Sequence, residues 1–219
     1  MSGATSPKTS DGTWAEIRTW LRAHGLRVLA QAAGLLPLVW LAWEYLRQPD
    51  PYTFNRLVML RTGAASLALL VASFACTPVG RVLGSGRPAQ VRRALGLYGF
   101  FYAVVHVWNY AVWENGLDWA LIVRDLEERR AMSVGVAALL ALLPLAATST
   151  RGWQQRLGRR WRQLHRLVYI AVPFAVWHFL WLERDRLTLA WIYAGLVTLL
   201  LIARLPFVRR FLARPPAQR

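Results

Sequence analysis

Six apolar runs, each about as long as a lipid bilayer is thick, are cut apart by short loops that hold most of the charge. A helical span needs roughly 20 mostly apolar residues. The runs cover residues 28–46, 57–76, 94–113, 131–148, 161–182 and 187–205. Inside lipid every backbone polar group must be satisfied internally, which leaves helices or closed barrels, and runs of this length and continuity are helical. The expected fold is therefore all-α: a polytopic membrane helix bundle of six transmembrane helices. With 56% hydrophobic residues, 17% charged residues and 12 Trp, the chain is too apolar for an ordinary soluble domain.

The loops sort by charge, and this sets the expected orientation. Lys8, Arg18, Arg22 and Arg27 precede the first run; Arg81, Arg87, Arg92 and Arg93 follow the second. Arg151, Arg156, Arg159, Arg160 and Arg162 follow the fourth, and Arg204, Arg209, Arg210, Arg214 and Arg219 close the chain. The alternate loops hold fewer basic residues or set acids beside them, as in Glu114, Asp118, Asp125, Glu127 and Glu128, or Glu183 and Asp185. Cytoplasmic loops carry the excess of Lys and Arg, so both termini are expected in the cytoplasm. Trp113, Trp119, Trp181 and Trp191 fall at the expected outer boundary, where an aromatic belt belongs. The net charge of +16 is spread over these clusters and makes no single basic face or arm, so no nucleic-acid partner is expected. A single cysteine, Cys76, excludes an intrachain disulfide and any multi-cysteine metal site. The expected division is a cytoplasmic tail at 1–27, disordered or lying on the surface at its start, a six-helix domain at 28–205, and a cytoplasmic tail at 206–219.

Chemistry concentrates in the histidines. Ionisable residues inside a membrane are costly and mark functional sites by default. The stretch at 159–183 opens on an Arg cluster and carries His165 and His178; the third run carries His106. The third and fifth runs both travel from the cytoplasm outward. His106 lies about eight residues before Glu114, and His178 about five before Glu183. At about 1.5 Å per residue the two differ by a few ångströms of depth. One level on two helices is the geometry of bis-His ligation of haem b, without an open coordination position. His165 stands 13 residues before His178, roughly 20 Å nearer the cytoplasm. No His occupies that level on the third run, where Arg92, Arg93 and Leu95 stand. His165 is thus a candidate ligand of an inner haem, with Arg92 or Arg93 as candidate propionate contacts. It is alternatively an interfacial residue touching lipid, a propionate or a quinone. Pro173, between His165 and His178, is a candidate kink. Gly96 and Gly99 either admit a macrocycle or a neighbouring helix, or are merely tolerated in a membrane helix. His24 reads as solvated.

The segments RRALGLYGFFYAVVHVWNY from Arg92 and TSTRGWQQRLGRRWRQLHRLVYIAVPFAVWHF from Thr148 resemble the MsrQ (YedZ) family. Its members are haem-binding membrane subunits of the periplasmic methionine-sulfoxide reductase system, within the ferric-reductase-like transmembrane superfamily. The likeness runs from the first span to the sixth. In that superfamily two helices each usually carry two haem-ligating histidines; here the fifth run keeps both and the third has only His106. The resemblance implies a subunit of the bacterial inner membrane that passes electrons through haem b to a periplasmic molybdopterin reductase, MsrP. It also implies FMN as a possible cofactor, and the quinone pool or a cytosolic flavin reductase as donor. The residues after the sixth run leave no room for a flavin or nicotinamide domain, and no GxGxxG follows a strand, so a separate donor is expected. No outer loop shows a catalytic constellation, so substrate chemistry belongs to a partner. The acid-rich loop at 114–130 is the expected docking surface. The competing readings are a stand-alone ferric-reductase-type enzyme acting on a small acceptor, and a transporter or scaffold with structural histidines.

Overall fold

The computed structural model describes residues 10–47, 50–182 and 187–208. The expected outer loop with Glu183 and Asp185, the first nine residues and the arginines from Arg209 onward lie outside the described residues. The described chain is helical, with no strand among those residues. The helices are α1 (Ser10–Arg47), α2 (Pro51–Val82), α3 (Arg87–Asn109), α4 (Trp119–Glu128), α5 (Arg130–Ala147), α6 (Arg151–Leu157), α7 (Arg159–Leu164), α8 (Val168–Leu182) and α9 (Leu187–Ile202).

Among the described residues four stretches are long and apolar enough to cross a membrane: His24–Arg47, Pro51–Val82, Arg130–Ala147 and Arg159–Leu182; the apolar α9 is shorter. The 23-residue α3 is long enough, but Arg87, Arg92 and Arg93 in its first two turns dilute its hydropathy. Large apolar side chains, among them Leu36, Val39, Trp43, Leu140, Trp177, Ile192 and Leu199, point out of the bundle. Outward apolar faces on so many helices are what lipid, rather than water, would cover. Trp113, Trp119, Trp181 and Trp191 are all exposed.

Helix α1 begins at Ser10 and runs without interruption into the first apolar run, so residues 10–27 of the expected tail are helical. Residues 10–27 hold no proline, and Gly12 and Gly25 are too few to stop a helix already propagating from an apolar run.

Helix α2 is the central post. Asp50 caps it, accepting from the Thr53 amide at 2.9 Å, with Pro51 opening the first turn. On one side Leu69 and Cys76 pack with Ala30 of α1 and with Val91, Leu95 and Tyr102 of α3. On the other, Leu67, Leu70, Val71 and Phe74 pack with Leu142 of α5, Val172 and Val176 of α8, and Val197 and Leu200 of α9. Gly96 and Gly99 admit α2 rather than a macrocycle. A Cβ on Gly99 would stand 2.8 Å from Leu70 Cγ, and one on Gly96 would stand 3.1 Å from Ser73 Oγ. Buried Ser66 donates to the Gly99 carbonyl at 2.8 Å, and Ser73 to that of Arg92 at 2.7 Å. Tyr102, fully buried, reaches α1 and donates to the Gly34 carbonyl at 2.6 Å.

The fifth run is not one straight helix. Just before it, Gly158, whose φ of 49° suits glycine, separates α6 from α7, and α7 carries the chain into the run. A 3₁₀ turn at His165–Leu167 then separates α7 from α8. Pro173, the expected kink, lies inside α8. The break falls on His165 itself, and mid-helix 3₁₀ turns often mark functional positions. At its C-terminal end, α3 continues into a π-helical turn, Tyr110–Glu114. Tyr110 there donates to Asp125 of α4 at 2.6 Å, tying that amphipathic helix across the end of the bundle.

Candidate functional site

His106 on α3 and His178 on α8 face each other across the bundle, with ring centroids 6.3 Å apart and planes at 81°. Both rings are half-buried. His106 Nδ1 lies 2.9 Å from the Met59 carbonyl oxygen on α2, and His178 Nδ1 lies 2.7 Å from that of Ala131 on α5. A carbonyl only accepts, so each Nδ1 must carry the proton. Each Nε2 is then left with its lone pair, the tautomer a metal ligand needs. A metal bonded to both nitrogens at about 2.0 Å, with each ring centre roughly 1 Å behind its nitrogen, would set the centroids about 6 Å apart. The observed spacing matches.

The two histidines are seated alike. In each half the histidine follows its carbonyl partner by 47 residues. One turn after each carbonyl comes a glycine under the ring. A Cβ on Gly63 would stand 3.1 Å from His106 Nδ1, and one on Gly135 would stand 2.6 Å from His178 Nδ1. The pairs α2–α3 and α5–α8 are therefore two versions of one unit, a carbonyl and a glycine on one helix holding a histidine on the next. Sequence reasoning found the histidines and missed these seats. The signal was present in the repeated spacing, Met59, Gly63 and His106 against Ala131, Gly135 and His178.

His165 is built differently. Its ring stacks on Trp161 at 4.0 Å between centroids, and its Nε2 lies 3.1 Å from Thr148 Oγ1 at the end of α5. The Thr148 hydroxyl donates to the Pro144 carbonyl at 2.6 Å, so its proton is used and His165 Nε2 must donate to it. The tautomer is thus the reverse of the outer pair, with the lone pair on Nδ1. Trp161 Nε1 also donates to the Thr148 carbonyl at 2.9 Å, fixing this corner. No second histidine meets His165. Half-buried Arg92 lies within electrostatic reach of it, while Arg93, 13 residues before His106, is exposed. His24 is exposed as expected, stacked on Trp20. Cys76 is buried and free. Among the described residues no cluster of three His, Cys, Asp or Glu could hold a metal ion.

The bundle thus sets two histidines of the same tautomer face to face between helices whose outer faces are apolar. Residues 62–176 match the family described as the ferric reductase like transmembrane component. The chain is 40% identical over 186 residues to the protein-methionine-sulfoxide reductase heme-binding subunit MsrQ of Rhodospirillum rubrum, covering 84% of this chain and 89% of that protein. It is 37% identical over 184 residues to the subunit of the same name from Xanthomonas axonopodis pv. citri, covering 80% of this chain and 83% of that one. The chain belongs to the MsrQ family of the ferric-reductase-like transmembrane proteins, and is a multi-pass membrane protein. No solved structure matches it.

Proposed function

We propose that this protein is a membrane cytochrome b, with haem b held between His106 and His178. The observation that carries this reading is the facing pair itself, with ring centroids 6.3 Å apart and each Nδ1 held by a backbone carbonyl, the tautomer that leaves Nε2 free. The names of its relatives, heme-binding subunits of a methionine-sulfoxide reductase, support the same cofactor. When bound, bis-His haem supplies one-electron transfer without an open coordination position. The chain's own contribution is to fix ligand geometry and to exclude water by wrapping the pair in helices α2, α3, α5 and α8.

In this reading the chain spans the bacterial inner membrane six times with both termini in the cytoplasm. It links a donor on the inner side, the quinone pool or a flavin reductase, to a periplasmic molybdopterin methionine-sulfoxide reductase of the MsrP type. His165, with Arg92 and more distantly Arg93, marks the inner end, where a second haem or FMN would be received. The π-helical turn and α4, with Asp118, Asp125, Glu127 and Glu128, form the outer docking surface; Tyr110 holds α4 in place there. The test is the reduced-minus-oxidised visible spectrum of the purified protein with haem counted per chain. His106→Ala and His178→Ala should each abolish most of the bis-His absorption, and full haem content in both variants would overturn the assignment.

A further inference from the structure

We propose that Arg81, Arg92 and Arg204 form a binding site for a phosphate-type oxyanion at the inner end of the bundle. The reasoning begins with Pro78. Proline lacks an N–H, so the carbonyl four residues earlier, that of Phe74, loses its usual helical partner. Arg204, just beyond α9, supplies a replacement by donating from Nη2 to the Phe74 oxygen. Its Cζ also lies 3.6 Å from the centroid of the buried Phe74 ring and 5.4 Å from that of Tyr169. The guanidinium is thus held on one edge and one face.

That fixed position leaves Nη1 of Arg204 buried without a partner. Arg81 Nη1 is buried without a partner too. Arg81 lies seven residues beyond Phe74, on the same face of α2 and about 10 Å further along it. Arg81 and Arg92 are both within electrostatic reach of Arg204. The ion pairs Arg124 with Glu128 and Arg129 with Asp125 include no member of this cluster. Arg92 is placed beside α2 by its Nη1 bond to Thr77 Oγ1 at 3.4 Å. Three guanidinium groups gathered along this end of α2, two of them with buried idle donors, are an incomplete electrostatic arrangement. A tetrahedral oxyanion completes it. It offers several acceptor oxygens to donors arriving from α2, α3 and the turn just beyond α9, and guanidinium is the side chain best matched to it. At the cytoplasmic surface such an anion comes either from an acidic phospholipid headgroup or from a soluble phosphate.

The site shares Arg92 with the proposed inner end, but it requires no haem. The test uses the full chain, as purified, in nanodiscs of phosphatidylcholine alone, of phosphatidylcholine with phosphatidylglycerol, and of phosphatidylcholine with inorganic phosphate added to the buffer. The readout is the thermal midpoint together with haem per chain. Wild type should be stabilised in the phosphatidylglycerol discs if the anion is a headgroup, or by added phosphate if it is soluble. Arg81→Gln and Arg204→Gln should each weaken the response about tenfold in apparent affinity, as expected for one lost charge-assisted bond. Arg81→Gln leaves the Phe74 contact intact and serves if Arg204→Gln does not fold. No response in either arm, or an undiminished response in Arg81→Gln, overturns the site. Loss of haem from Arg81→Gln without any anion response would also overturn it, by assigning the arginines to propionates. The outer pair is read independently by its own absorption, so a failure of the haem assignment is separately visible.

Discussion

Placing a methyl group at Gly135 should disturb the His178 ligand more than the same change at Gly63 disturbs His106. A Cβ at Gly135 would stand 2.6 Å from His178 Nδ1 and 2.8 Å from Cε1, against 3.4 Å at the near edge of ordinary contact. The ring must therefore retreat by about 0.8 Å, more than a packed helix pair absorbs without cost. Its Nδ1 bond to Ala131, 2.7 Å long, points toward the same side and is lost or stretched in the process. Losing the group that orients a metal-bound histidine typically weakens metal affinity by about 10- to 100-fold. Gly135→Ala should fall in that range. At Gly63 the added carbon would stand 3.1 Å from the ring, so a retreat of about 0.3 Å suffices and the loss should stay below about tenfold. The assay is haem titration into the apo-protein in nanodiscs, with reduced-minus-oxidised spectra of the loaded forms. Wild-type affinity and an unshifted spectrum in Gly135→Ala would refute the reasoning, as would a larger effect at Gly63.

His165→Ala should leave the absorption of the outer pair in place while removing whatever signal belongs to the inner end; loss of the outer-pair spectrum would show that the two ends are not separate. Tyr102→Phe removes the buried bond to the Gly34 carbonyl and should cost about 0.5–1.5 kcal/mol, seen as a lower thermal midpoint at unchanged haem content. Asp50 accepts from Thr53 at the start of α2, and these bonds hold its carboxyl below the usual range. Its folded-state pKa is depressed, so its stabilising effect is full above the unfolded value of about 4 and is lost as pH falls through the folded value. Asp50→Asn should flatten that acid-side decline in thermal midpoint, and an unchanged decline would show that the cap contributes nothing.

The outer pair was legible because depth in a membrane helix is nearly a count of residues. His106 and His178 could be levelled against Glu114 and Glu183 without knowing how the helices pack. What counting cannot supply is azimuth, the direction in which each side chain leaves its helix. Gly63 and Gly135 acquire their role only when α3 lies on α2 and α8 on α5, so they read as ordinary membrane glycines. The same limit hid Arg204, whose partner carbonyl is freed by a proline 126 residues earlier in the chain. At His165 the chain departs from a straight helix, because Trp161 and Thr148 hold the corner while α8 begins afresh. Pro173, a stronger local signal, lies within α8 and does not end it.

The repeated histidine seat also bears on how the bundle is assembled. One seat is complete when α2 and α3 have paired, the other when α5 and α8 have paired, and each supplies one bond to whatever lies between them. A ligand bonded to both is a removable cross-link between two hairpins distant in sequence. It shortens the effective loop between them and draws the equilibrium toward the closed bundle by mass action. Cofactor supply would then add to the stability of the closed bundle, on top of the packing of α2 against α5, α8 and α9.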